Sequence, residues 1–100
     1  MSLIQITPTM LRTRATEIRQ RKTEHDQAMT QLGNLVNSLN AEWKGVASDA
    51  FVQQFNAMRT RFTQFSQRLE TMARQLDDTA NRLEQADQQS RSQILSALQV

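Results

Sequence analysis

Few residues in this chain could carry chemistry, and their spacing does not assemble a reaction. His25 is the single histidine, and cysteine is absent. The lack of Cys removes disulfides, thiol nucleophiles and Cys-type zinc sites. A lone His needs further ligands to hold a metal, and nothing near His25 clearly completes such a set. There is no Gly-rich phosphate loop and no pair of carboxylates placed for a cleft. The expectation is a protein without catalytic, cofactor or metal residues.

The remaining polar chemistry is charge. Arg12, Arg14, Arg19, Arg21 and Lys22 cluster in the first third, and Arg61, Arg68 and Arg74 can face them across a hairpin. Such a band can attract nucleic acid or anionic lipid. Glu17, Glu24, Asp26, Glu70, Asp77 and Asp78 are interspersed, however, and the net charge is only +2. The pI of 9.9 reflects the scarcity of groups titrating between pH 7 and 10 rather than a strong basic excess. The band reads as a solvated charged face, with no nucleic acid expected and membrane binding disfavoured.

Trp43-Lys44-Gly45 is the third feature, and it joins the only Trp to one of two Gly residues. Gly opens backbone conformations that a turn needs. Trp can plug the end of a bundle, and it is also a common interface anchor.

Two long helical patterns must position these residues. Thr7-Pro8 reads as a cap followed by Pro at the first helical position. Leu3, Ile4 and Ile6 precede it as an apolar arm, with Ile6 placed to staple the first turn. The first pattern, over about 8–41, runs through Leu11, Ala15, Ile18, Lys22, His25, Met29, Leu32, Val36 and Leu39. The second, over about 46–87, runs through Phe51, Phe55, Met58, Phe62, Phe65, Leu69, Met72, Leu76, Thr79 and Leu83. Both alternate steps of four and three, a 3.5-residue period that predicts left-handed packing at a shallow angle. Glu70–Arg74 and Asp78–Arg82 have the spacing of helix-surface ion pairs. The stripe weakens after Leu83, so residues 88–100 read as a tail that frays.

The expected fold is all-α: a single domain over 1–100, folded as an antiparallel helix-turn-helix hairpin about 43–45. Met10, Leu35, Val52, Ala57, Ala73 and Ala80 widen the stripes beyond what one hairpin buries, so two hairpins should pair as a four-helix bundle. Leu32, Val36, Leu39, Phe51, Phe55, Phe62, Phe65 and Leu69 are the expected hairpin or dimer core. Gly33, costly in a helix by about 1 kcal/mol, fits the close approach of a partner helix. Lys22 and His25 interrupt the first stripe level with Phe62, Phe65 and Leu69. They read either as a wet groove with a snorkelling Lys or as a polar layer that controls register. No stretch reaches the roughly 18 apolar residues of a membrane span, and the N-terminus lacks the regions of a Sec-type signal peptide.

A central Trp-Xaa-Gly, Ala47 and Phe51 after it, about one hundred residues and flanking heptads together resemble the WXG family of ESAT-like proteins. The resemblance implies a secreted, virulence-associated substrate of a type VII secretion system, exported without a cleaved signal peptide. It also implies a dimeric binding or adaptor protein, paired with a second copy of itself or with a related hairpin, and recognised by the secretion machinery. Family members often carry a C-terminal Tyr-Xaa-Xaa-Xaa-Asp/Glu signal. This chain has no Tyr, and Leu83-Glu84-Gln85-Ala86-Asp87 stands in its place. Leu83, Asp87 and Ile94 fit a looser form of the signal, and Ser90 departs from its intermediate apolar position. Leu83 also reads simply as the last core position. The alternatives are a cytoplasmic helical adaptor for a larger effector, and a basic helical binder of nucleic acid or membrane.

Overall fold

Thr7 opens the first helix by the expected device. Its Oγ1 accepts a hydrogen bond from the Met10 amide at 3.2 Å, and Pro8 occupies the first turn without wasting a donor. In the computed structural model, which describes residues 5–98, helix α1 spans Pro8–Glu42 and helix α2 spans Val46–Leu98. Leu3 and Ile4 of the apolar arm lie outside the described residues. Ile6 does not staple the first turn: it is 60% exposed.

Three residues reverse the chain. The Trp43 amide donates to the Leu39 carbonyl at 2.8 Å and closes α1, while the Trp43 backbone turns extended. Gly45 then takes φ +136°, a conformation that L side chains rarely adopt. Its carbonyl accepts from the Asp49 amide at 3.1 Å and starts α2. Asp49 lies in that first turn, where a carboxylate complements the helix dipole. Ser48 is buried beneath the turn and donates to Asn40 Oδ1 at 2.7 Å, tying the two helix ends together.

The result is a rod of 83 × 23 × 22 Å with a radius of gyration of 23.2 Å. A compact 100-residue domain has about 13 Å, so little of this chain can be interior. α2 has 53 residues against 35 in α1. The last tie between them joins Arg12 to Asn81 and Glu84. α1 ends one turn further on, at Pro8, while α2 runs on to Leu98. The helix does not stop near Asp87 as the weakening stripe suggested: residues 88–98 are helical and all exposed.

The hairpin seam is also not the stripe of large apolar residues. The buried positions are Ala15, Gly33 and Val36 of α1, and Ser48, Phe55, Ser66, Ala73 and Ala80 of α2. Ala15 and Gly33, Ser48 and Ser66, and Phe55 and Ala73 are each 18 residues apart. Eighteen residues are five turns of a straight helix with about 3.6 residues per turn. On α2, Ser48 and Phe55 are also seven apart, as are Ser66, Ala73 and Ala80, and Phe65 and Met72 each directly precede a buried small residue. One residue of a helix is about 100° of rotation, so small residues close the seam while the column of large ones stands to one side.

Candidate interaction face and turn

That offset gives the hairpin two unlike faces. On one face the helices are joined by polar groups. Arg12 binds Glu84, and Arg12 Nη2 donates to Asn81 Oδ1 at 2.9 Å. Arg19 reaches Asp77 Oδ2 at 2.8 Å and Glu70 Oε1 at 3.7 Å. Ser66 Oγ donates to Asp26 Oδ1 at 2.6 Å, and Lys22 Nζ donates to the other oxygen at 2.9 Å. The Ser66 hydrogen bond first, and then Lys22, hold the Asp26 carboxyl below its ordinary value despite some desolvation. The hydrogen bond from Arg12 likewise lowers Glu84.

Gly33 belongs to this polar face. Arg59 of α2 lays its guanidinium over the Gly33 backbone and over the Phe55 ring, with the guanidinium carbon 5.1 Å from the ring centroid. The close approach inferred for a partner helix is thus made by a side chain of the same molecule.

The opposite face is apolar. Phe51, Met58, Phe65 and Met72 form one column of α2 and are 39%, 46%, 50% and 50% exposed. Leu32 and Leu39 stand beside them on α1, also exposed, with Leu35 further out. Ring contacts fasten the two sides: His25 meets Phe65 edge-on at 5.3 Å, and Trp43 meets Phe51 at 6.1 Å. A hollow of 210 Å³ opens between Leu32, Val36, Phe51, Phe55 and Met58, with Gln54 at its edge. Scattered exposed apolar side chains need no explanation, but a continuous column of them makes this face a candidate interaction surface.

The structure divides the residues expected as hairpin or dimer core between the seam and the open face. Val36 and Phe55 are buried within the hairpin, and Phe62 and Leu69 are half-buried. Leu32, Leu39, Phe51 and Phe65 lie on the open face. Met10 and Leu35 are exposed as well, whereas Ala73 and Ala80, read as widening the stripe, are fully buried in the seam.

His25 is half-buried between the faces. Its Nε2 lies 3.2 Å from the Phe62 carbonyl, which accepts the ring N–H, and its ring meets Phe62 edge-on at 5.6 Å. Lys22 does not simply snorkel into water, since Asp26 holds it. Among the described residues no group of three His, Asp or Glu is placed to hold a metal. The expected Glu70–Arg74 pair is present at 3.9 Å, and among the described residues Asp78 and Arg82 form no ion pair.

At the turn, Trp43 is 41% exposed and its ring lies tilted against Phe51. At the other end of the rod, Leu83 is half-buried and Asp87 is exposed one turn beyond it. Ile94 is exposed on the overhang with Leu95 and Leu98. Trp43 and Leu83 lie at opposite ends of the paired region, so one hairpin does not bring the turn and the tail together. Sequence reasoning missed the Asn40–Ser48 and Asp26–Ser66 ties. The available signal was the run Ser66, Ala73, Ala80, small residues seven apart beside a column of large ones.

The family model for proteins of 100 residues with WXG matches residues 3–88. Protein YukE of Bacillus subtilis (strain 168) is 34% identical over 92 residues, which cover 92% of this chain and 95% of that protein. The type VII secretion system extracellular protein A of Staphylococcus aureus (strain USA300) is 28% identical over 89 residues, covering 89% and 92%. The crystal structure of the secreted protein ESXB from Bacillus anthracis str. Sterne superposes with a TM-score of 0.79 at 25% identity, covering 87% of this chain and 99% of that one. With its Trp-Xaa-Gly at the reversal of a two-helix rod and a family match across most of its length, the chain belongs to the WXG100 family.

Proposed function

We propose that this protein is a secreted, non-enzymatic substrate of a type VII secretion system, and that it works as a pair of hairpins. The Staphylococcus aureus relative is named as an extracellular protein of such a system, and the Bacillus anthracis structure is of a secreted protein. The observation that carries the pairing is the apolar column Phe51–Met58–Phe65–Met72, half open to water along the rod. A second hairpin, either another copy or a relative, covers this face and completes a four-helix bundle.

Trp43 and Gly45 at the turn, with Leu83, Asp87 and Ile94 at the far end, are the surfaces offered to the secretion machinery. They are exposed, apart from half-buried Leu83, and the hairpin seam does not depend on Asp87 or Ile94. A basic binder of nucleic acid is disfavoured, because Arg12, Arg14, Arg19, Arg21 and Lys22 each hold a carboxylate of the same chain.

The test measures Trp43→Ala and Asp87→Ala in culture medium and in the cell pellet, with helicity and sedimentation equilibrium in parallel. Export should fall while folding and pairing persist. Normal export of both variants refutes the signal assignment, and a wild-type protein confined to the pellet favours a cytoplasmic adaptor.

A further inference from the structure

The open column of α2 alternates Phe51, Met58, Phe65, Met72, so every second anchor is a thioether. Met58 and Met72 are 46% and 50% exposed in the single hairpin. Met58 also lines the 210 Å³ apolar hollow, where Gln54 is the only polar neighbour. A thioether is a soft apolar filler until it is oxidised. Two-electron oxidation by a peroxide moves one oxygen atom onto sulfur and releases water, leaving a polar sulfoxide.

We infer that Met58 and Met72 form an oxidation-sensitive site that controls whether the apolar face can be covered. The inference rests on the pairing reading above. In the free hairpin both methionines are about half exposed, within reach of a dissolved peroxide. In the pair they are covered by the second hairpin, so oxidation and pairing exclude each other. Protection of the sulfurs by pairing and loss of pairing on oxidation are two sides of one linkage. The hairpin itself tolerates the change, because its seam is built from Ala15, Gly33, Val36, Ser66, Ala73 and Ala80 and not from these methionines.

A buried polar group without a good partner costs about 1–3 kcal/mol in proteins, which is about fivefold to 150-fold in an association constant for each sulfoxide. If the partner is a second copy, one pair carries four such sulfurs, and full oxidation weakens pairing by at least about a thousandfold.

The experiment uses the full chain and hydrogen peroxide. Protein is oxidised at a dilution where it is unpaired, the sulfoxides are placed by peptide mass spectrometry, and pairing is read by sedimentation equilibrium after reconcentration. Oxidised protein should stay helical and sediment as single hairpins, and a methionine sulfoxide reductase should restore the pair. The variant Met58→Leu/Met72→Leu, which nearly conserves volume, should pair normally and keep pairing after peroxide, although Met1, Met10 and Met29 remain oxidisable. Persistent pairing with sulfoxide at both positions would overturn the inference. So would resistance of both sulfurs in dilute protein, or equal peroxide sensitivity of the double Leu variant. Untreated protein that stays single at every concentration would instead remove the pairing reading beneath it.

Discussion

Arg59 and Gly33 show how one side chain can change what a residue means. Gly33 invites the reading of a helix pressed against a helix, yet the nearest atoms belong to the movable end of Arg59. Gly33→Ala should therefore be neutral or stabilising, by up to about 1 kcal/mol from helix propensity. A thermal melt should show a Tm unchanged or raised by a few degrees; a sharp fall would mean that this polar face is covered by something else. Gly45 is the opposite case. No atom crowds its missing side chain, but its φ of +136° does not suit an L residue, so Gly45→Ala should cost about 1–2 kcal/mol. Asp26 and Glu84 add a pH dependence. Both carboxyls titrate below their ordinary values in the folded chain. Their stabilisation is complete above the unfolded values of about 4 and is lost as pH falls through the folded ones. Melts should hold steady above pH 5 and fall below pH 4, and Asp26→Asn should flatten part of that fall.

Within the two helices, the fold was legible because its signals are local. Thr7-Pro8 caps, Gly45 turns, and the four-and-three steps of the apolar residues name a helix on either side. The assignment of faces was not legible, because neighbouring columns of α2 share the same seven-residue spacing. A seven-residue column read on paper looks like one seam from Phe51 to Thr79. In the hairpin that column stands beside the seam, and Ser66, Ala73 and Ala80, each one position further along, close it. The candidate turn residues could be named from sequence, since Trp and Gly are rare here. The ties from Ser48 and Ser66 could not, because a Ser in a helix looks the same whether it meets water or a carboxylate. The separation of faces has a clear test in two Phe→Ala changes. Phe55 is buried at 6% exposure and supports Arg59, so Phe55→Ala should destabilise even the unpaired hairpin, by about 3–5 kcal/mol. Phe65→Ala should change the melt of dilute protein much less and weaken pairing instead. Equal losses at both positions in dilute protein would contradict the two-faced arrangement.

For the whole molecule, the ties between α1 and α2 end near Glu84, so the overhang contributes little to the fold. Removing residues 88–100 should leave the melting midpoint of the hairpin nearly unchanged while the circular dichroism loses the signal of the missing turns. A large drop in Tm would show that the overhang is held by a contact within the pair. The rod itself sets one more constraint. Its length is 83 Å, but its cross-section is only 23 × 22 Å. A folded hairpin presented end-on needs a bore little wider than a single helical pair, whereas the same molecule presented broadside would need several times that gauge. Any conduit that admits it intact must therefore first align it, as a thread is aligned with the eye of a needle, and the leading tip would be either the Trp43 turn or the bare end of α2.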